Sequence, residues 1–447
     1  NRARRSLMAK RISITSGRAR RAIKMGELAS QVGSSYLWNQ LRRPFLSAPA
    51  RERELLETHI RNAQRIVESS TQLRGAFMKL IQMLSIRKDL LPGEALDVLR
   101  ATQSSVPPMN FATISEQIRK EIGKRPEAIF RSFDQTAFAA ASLGQVHRAV
   151  TRDGIEVAVK IQYPGVEDTV EQDLQNLKLL LRTLQALGHD VMRQKIDTGL
   201  VYKELEQRLR EELDYLNEAR NMTEFGRRLG DDEQIMIPRF IKAMSSRRVL
   251  TMTYVDGYPM ADLMGPEVEF ELREWVAEKI HEFAWRQILE FGMLHTDFHP
   301  GNYLVSHHPR LGVLDFGSIR RFPEPVRKAN LQIARAILSG DDKSLGAAMV
   351  RLGYLEHDQN PAPMVKIIHL LFEPMMVDRK FDPADYDTVA KAAKVGEIAL
   401  ENRLYKSPAH SVFLIRALVG LEGITRGLGV KTNYRRIFAL AVERIAH

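Results

Sequence analysis

The sequence predicts an α+β chain of two lobes, a small sheet-bearing N-lobe and a helical C-lobe, preceded by a helical extension. Three observations carry that prediction. Alternating runs over Phe138–Ala149, Glu156–Ile161 and Arg248–Gly257 read as strands and fall in one region of the chain. Everything after Ile319 has helical spacing, broken at Gly340-Asp-Asp342, Asn360-Pro-Ala-Pro363 and Ser407-Pro408. Between these regions stands His295-Thr-Asp-Phe-His-Pro-Gly-Asn302, followed by Val313-Leu-Asp-Phe-Gly317.

The elements follow in order. Residues 1–50 mix basic residues with Gly17, Gly26, Gly33 and Pro44, end in Ser47-Ala-Pro-Ala50, and are expected to be a basic arm and linker. Residues 51–130 are the helical extension. Phe77, Leu80, Ile81 and Leu84 continue an apolar face from Leu73, with Lys79 and Gln82 away from its centre. Helix resumes over Glu94–Thr102 and again over Ile114–Gly123. Residues 131–256 form the N-lobe: strand, a small-residue loop (Ala139, Ala140, Ala141, Ser142), a strand, the turn Arg152-Asp-Gly154, and the strand Glu156–Ile161. Helices over Val166–Leu187 and Gly199–Met222 come next, the second carrying Glu211, Glu212, Asp214 and Glu218. Residues 257–447 are the C-lobe, in which the amphipathic helix Phe270–Phe291 delivers the His295–Asn302 loop.

Composition bounds the chemistry. The 447 residues include no cysteine, which excludes disulfides and thiolate metal sites and suits a reducing compartment. No stretch reaches the ~18 uninterrupted apolar residues of a membrane span. The best candidate, Val412–Val430, is broken by Arg416, Glu422 and Arg426. The net charge is +11, and residues 1–53 account for it, with thirteen Lys/Arg against Glu27 and Glu52. Such an arm suits an anionic membrane surface, or is a solvated tail. No zinc finger, RNA-recognition signature or basic helix-turn-helix is present, so no nucleic acid is expected. The chain opens on Asn1 without a secretory signal pattern. A cytoplasmic protein, able to associate peripherally with a membrane, is the expectation.

The spacing of the central motifs points to phosphoryl transfer. Protein kinases use an Asp to orient the attacking hydroxyl, then an Asn five residues on and the Asp of an Asp-Phe-Gly to hold Mg²⁺ on the nucleotide. Asp297, Asn302 and Asp315 have that order and spacing. Val157-Ala-Val-Lys160 has the form of the kinase strand whose Lys pairs with the α/β-phosphates, and the Ala139–Ser142 loop stands where a phosphate cover belongs. A helical acid is needed to hold Lys160. On one continuous helix Glu211, Asp214 and Glu218 share a face, and the residues alone do not select among them. Backbone groups from Thr253 to Val255 are placed to meet adenine. No Ala-Pro-Glu ends an activation segment. A competing reading puts a transition metal on the alternating His295, Asp297 and His299, but it explains neither Asn302 nor Asp315.

Together these residues resemble the UbiB/AarF family of atypical kinases, from about Leu73 to the end of the chain. The resemblance implies a protein-kinase-like fold with ATP and Mg²⁺ as cofactors. It matches the family's Ala-rich loop to Ala139–Ser142 and its phosphate-binding Lys to Lys160. Its Glu-x-Asp motif falls on Glu212 and Asp214, and the helical Glu on Glu218. The catalytic Asp falls on Asp297, and the metal-binding pair on Asn302 and Asp315. The family's Lys-x-Gly-Gln signature, which lies over the active site and obstructs peptide substrates, falls on Lys79-Leu-Ile-Gln82. Ile81 stands where the family has Gly, and a β-branched residue denies the close approach a glycine permits.

The resemblance implies an ATPase or phosphotransferase linked to quinone or isoprenoid-lipid metabolism, with the lipid or an anionic membrane reached through residues 1–53. One alternative is a small-molecule kinase of the aminoglycoside-phosphotransferase type, which shares the His-x-Asp pattern. The other is a nucleotide-switched membrane scaffold without turnover.

Overall fold

A computed structural model describes residues 18–73, 80–81, 98, 109–141, 143–186, 198–230, 232–265, 267–306, 308–385, 388–404, 406 and 408–445. Lys79, Gln82 and Ser142 lie outside the described residues. In chain order the first elements are helices α1 (Arg18–Arg42), α2 (Ala48–Leu73) and α3 (Phe111–Ile122), then strands β1 (Ser132–Phe133), β2 (Ala139–Ala141), β3 (Gly144–Val150) and β4 (Glu156–Gln162). Helices α4 (Val166–Ala186), α5 (Thr198–Glu212) and α6 (Tyr215–Leu229) follow, with β5 (Ile235–Met236) and β6 (Val249–Thr253). The chain divides into two compact units, Asn1–Asn217 with Ile241–Thr253, and Glu218–Phe240 with Tyr254–His447.

In the first unit an antiparallel sheet runs β1-β3-β4-β6, with β2 added against β3. Val157, Val159 and Ile161 alternate along β4 and bury one face against Ile114 and Ile118 of α3 and against Phe130. Lys160 therefore belongs to the opposite face. Gly144 is required where β3 leaves the small-residue strand, because a Cβ there would stand 2.1 Å from the Ile161 carbonyl oxygen. Gln145 and His147 fasten the segment before α3. The Gln145 amide accepts from Met109 N–H at 2.8 Å, and its Nε2 meets His147 Nε2 at 2.8 Å. A second core joins Leu28, Val32 and Tyr36 of α1 to Ala63 and Ile66 of α2, to Leu80 and Ile81, and to α4 and α5.

Three sequence expectations differ from this structure. Residues 18–42 form a helix rather than an arm and linker, because Leu28, Val32 and Tyr36 recur at i, i+4 and i+8 and find a core. Gly26 and Gly33 do not break it, and Pro44 falls just beyond it in a 3₁₀ turn. The expected helix over Gly199–Met222 is two helices, interrupted at Leu213-Asp214. Asp214 caps the second, its Oδ1 accepting from Asn217 N–H at 3.1 Å. The face shared by Glu211, Asp214 and Glu218 on one continuous helix therefore does not form. Finally, Glu218–Phe240 clusters with the unit that holds the His295–Asn302 loop, not with the sheet, because Phe225 of α6 packs against Phe283, Phe291 and Phe316.

The second unit continues with β7 (Tyr258–Pro259), α7 (Phe270–Arg286), β8 (Met293–His295), β9 (Tyr303–Val305), β10 (Leu311–Val313) and β11 (Ile319–Arg321). Helices α8 (Glu324–Ser339), α9 (Asp342–Arg351), α10 (Ala362–Met376), α11 (Thr388–Glu401), α12 (Ala409–Leu428) and α13 (Tyr434–Glu443) complete it. Its strands pair as β5-β10-β9-β7 and β11-β8. The α7 helix ends in a π-turn over Gln287–Phe291. Beside it Arg286, 1% exposed, is ion-paired with Asp232 at 2.6 Å and Glu290 at 2.9 Å, which neutralises a buried guanidinium. Among the described residues, no helix is long and apolar enough to cross a membrane.

Candidate active site

His295 organises the site in the second unit. It ends β8, is buried, and uses both ring nitrogens. Its Nδ1 lies 3.1 Å from the backbone N–H of Asp297, and its Nε2 lies 2.6 Å from the carbonyl oxygen of Asp315. An amide N–H only donates and a carbonyl only accepts, so the ring is the neutral tautomer with its proton on Nε2. One imidazole thus ties together the two segments that carry the acidic groups. Its own backbone N–H donates to Gln287 Oε1 at 2.7 Å.

Around that brace the two loops are cross-linked. Thr296 N–H donates to the Ser318 carbonyl at 2.9 Å, and Leu314 N–H to the Asn302 carbonyl at 3.0 Å. Asn302 Nδ2 donates to the Asp297 carbonyl at 3.0 Å and lies 3.3 Å from Asp297 Oδ2. With its nitrogen so engaged, Oδ1 is the Asn302 atom left for a cation. Asp315 Oδ1 accepts from Gly317 N–H at 2.8 Å, a local turn that fixes the carboxylate. One amide oxygen and one carboxylate are a donor set that fits Mg²⁺, which keeps few protein ligands and takes the rest from phosphates and water. Beneath them Tyr303 is fully buried. Burial first, then the nearby Asp297 and Asp315 charges, hold its hydroxyl protonated well above the ordinary range.

The Phe of the Asp-Phe-Gly anchors this arrangement on α6. Phe316 is buried against Phe225 with ring centroids 5.4 Å apart, and its carbonyl accepts from Asn221 Nδ2 at 2.8 Å. Arg321 closes the network, reaching Asn221 Oδ1 at 2.9 Å and Glu224 at 2.7 Å. Glu218, 3% exposed, lies one turn before Asn221 on the same helix.

The other expected residues lie elsewhere. Lys160 is in the first unit, in a cross-strand row that runs from Ala139 through Val146 and Lys160 to Leu250. Its ammonium sits 4.9 Å from the centre of the Tyr215 ring. Ala139, Ala140 and Ala141 form the edge strand of that sheet. Thr253 closes β6 in the first unit, and Val255 lies in the second unit, one residue after its segment resumes at Tyr254. Glu212 ends α5, and Asp214 acts as the cap of α6. His295, Asp297 and His299 do not assemble as metal ligands, since both His295 nitrogens are used and exposed His299 accepts from Gly301 N–H at 3.1 Å.

Sequence reasoning missed three contributors. His295 was visible only as a possible ligand, and its bracing role needs Asp315, twenty residues away, to fold back. Tyr215 gave no signal. Arg416, on α12, lies 3.5 Å from Asp297 Oδ1, a contact no local pattern encodes.

Comparison with known proteins gives the family. Residues 101–349 match the ABC1 atypical kinase-like domain. The chain is 28% identical over 457 residues to the probable serine/threonine-protein kinase abkA of Dictyostelium discoideum, covering 95% of this chain and 79% of that protein. It is 31% identical over 369 residues to the mitochondrial atypical kinase coq-8 of Caenorhabditis elegans, with 80% of this chain aligned to 48% of the relative, about half its length. The mitochondrial atypical kinase COQ8B of Rattus norvegicus is 30% identical over 366 residues, covering 80% of this chain and 68% of its own. Among solved structures, the Rv3197–erythromycin complex from Mycobacterium tuberculosis resembles it with a TM-score of 0.61 at 24% identity, over 80% of this chain and 93% of that one, a likeness of fold. With the matched domain spanning the strands, Lys160 and the whole His295-braced centre, this chain belongs to the ABC1 atypical kinase-like family, the UbiB group that its motifs resemble.

Proposed function

We propose that the protein is a Mg²⁺-dependent ATP-binding enzyme, an ATPase or phosphotransferase serving quinone or isoprenoid-lipid chemistry at a membrane surface. The observation that carries the reading is the braced set of Asp297, Asn302 and Asp315 around one neutral imidazole. In this reading Asn302 and Asp315 hold Mg²⁺, which when bound neutralises charge on the nucleotide phosphates. Asp297 orients the nucleophile, water or an acceptor hydroxyl, and accepts its proton. Lys160 takes the α/β-phosphates, Glu218 positions Lys160, the Ala139–Ser142 segment covers the phosphates, and the backbone from Thr253 to Val255 meets adenine. Lys79 and Gln82, with Glu212 and Asp214, are the regulatory positions that the family resemblance implies.

The membrane part rests on α1. Leu37, Trp38 and Leu41, with Phe45 just beyond, are 53%, 64%, 66% and 87% exposed, beside Arg42, Arg43, Arg51 and Arg53. Exposed apolar side chains that include a Trp, flanked by basic residues, suit the headgroup region of an anionic bilayer.

The test is Mg²⁺-dependent phosphate release from ATP, with and without anionic liposomes, for wild type, Asp315→Asn and the double variant Trp38→Ser/Phe45→Ser. The reading expects turnover lost in Asp315→Asn, and liposome stimulation of wild type that the surface variant lacks. Deleting residues 1–53 is a poor substitute, since it strips Leu28, Val32 and Tyr36 from a core. Tight ATP binding without turnover would favour the nucleotide-switched scaffold. Turnover unaffected by Asp315→Asn would overturn the assignment of the centre.

A further inference from the structure

We propose that Arg416 is a catalytic residue that contacts the transferred phosphoryl group, an arginine supplied from within the chain by α12. The inference rests on reading Asp297 as the group that orients the nucleophile.

Four observations converge on it. The Arg416 guanidinium places Nη2 3.5 Å from Asp297 Oδ1, close enough to pair in charge but at the outer limit of a hydrogen bond. Its Nη1 is buried and has no hydrogen-bond partner among the described residues. A buried guanidinium donor without an acceptor is costly, so its retention beside Asp297 needs a reason, and an anionic oxygen that arrives with substrate supplies one. The pair is open to such a ligand, with the Asp297 side chain 47% exposed and Arg416 25%. Finally, the helix is locked against the loop. Gly420, one turn after Arg416 on the same face, approaches so closely that a Cβ would lie 2.7 Å from the Phe298 carbonyl oxygen. Phe298 itself follows Asp297 and stacks on Tyr303, with ring centroids 6.1 Å apart. Arg416 is thereby held in register with the catalytic loop.

A hydroxyl or water held by Asp297, next to anionic oxygens held by Arg416, is the arrangement of a nucleophile attacking a phosphoryl group. In the step, the acceptor oxygen forms a bond to the γ-phosphorus and the bond to the bridging oxygen breaks. The electron pair leaves on the β-phosphate of ADP, and the acceptor's proton passes to Asp297. Arg416 forms no covalent bond. Its planar fork donates to non-bridging oxygens of the group in transit and offsets the repulsion that the Asp297 carboxylate exerts on an incoming anion.

The experiment compares wild type, Arg416→Gln and Arg416→Lys by Mg²⁺-dependent phosphate release and by calorimetric affinity for Mg·ATP and Mg·ADP, with folding checked by circular dichroism. The proposal expects Arg416→Gln to lower kcat about 100-fold or more and to erase the wild-type preference for ATP over ADP, leaving ADP affinity within about twofold. Arg416→Lys, which keeps the charge but not the fork, should recover part of both losses. A folded Arg416→Gln with wild-type kcat and an unchanged ATP:ADP affinity ratio would overturn the proposal while leaving the phosphotransfer reading intact. Equal loss of ATP and ADP affinity would overturn it as well, showing a structural role. Failure of wild type to bind Mg·ATP at all would instead defeat the underlying reading, and the proposal with it.

Discussion

Replacing His295 by Ala removes the side chain that joins the Asp297 backbone to that of Asp315. His295 is 1% exposed and spans the Asp297 N–H and the Asp315 carbonyl at 3.1 and 2.6 Å. The substitution therefore orphans one buried donor and one buried acceptor, each worth about 1–3 kcal/mol when left unpaired. A water entering the vacated space can bridge them and recover part of that loss. A net destabilisation of ~2–4 kcal/mol follows. The fold of the second unit should survive, because the β8–β11 ladder, the Thr296–Ser318 contacts and the Leu314–Asn302 bond remain. What loosens is the relative placement of Asp297 and Asp315, where a displacement of 1 Å costs roughly 100-fold in rate. The assay pairs thermal unfolding with Mg²⁺-dependent ATP turnover. His295→Ala should lower the unfolding temperature by a few degrees and kcat by ~10–100-fold. A variant with wild-type unfolding and turnover within twofold would refute the bracing role.

Three further predictions rest on single contacts. Gly144→Ala would put a Cβ 2.1 Å from the Ile161 backbone oxygen, so unfolding should show a loss at or above the upper end of the ~1–3 kcal/mol typical of overpacking; an unchanged midpoint would contradict the close β3–β4 approach. Gly420→Ala drives a methyl to 2.7 Å from the Phe298 carbonyl, so kcat should fall more than ATP affinity, whereas equal effects on both would argue that the loop does not depend on α12. His59 is held neutral in contact with the Tyr36 hydroxyl, and burial lowers it from 6.5 to about 4. The unfolded chain therefore takes up its proton first as pH falls. The contribution is fully present above about pH 6.5 and is lost progressively towards pH 4, amounting to ~2–3 kcal/mol. His59→Gln should show a smaller drop in unfolding temperature between pH 7 and pH 5 than wild type, and an equal drop would refute this.

The parts of the fold written in local pattern were legible in the sequence. The strand with Lys160 and the helix expected over Val166–Leu187 and found over Val166–Ala186 both follow from spacing and turn residues. The break at Asp214 was less legible, because an Asp inside an acidic run looks like surface until its carboxylate is seen to cap Asn217. In α1 the apolar positions 28, 32 and 36 are diluted by glycines and arginines, so charge is the stronger local signal. Contacts between distant segments left no trace at all. In the sequence Arg416 is only an interruption of an apolar run and Asn221 belongs to no motif, because what each does depends on loops that only the folded chain brings to it.

The central claim is that Asn302 and Asp315, braced through His295, hold a nucleotide through Mg²⁺. Calorimetric titration of ATP into wild type and Asn302→Ala, in Mg²⁺ and then in excess EDTA, tests it most directly. The account predicts binding by wild type that weakens at least tenfold when Mg²⁺ is removed, and an Asn302→Ala variant that binds weakly under both conditions. Wild-type binding indifferent to Mg²⁺, or an Asn302→Ala variant that keeps the full dependence on it, would contradict the account.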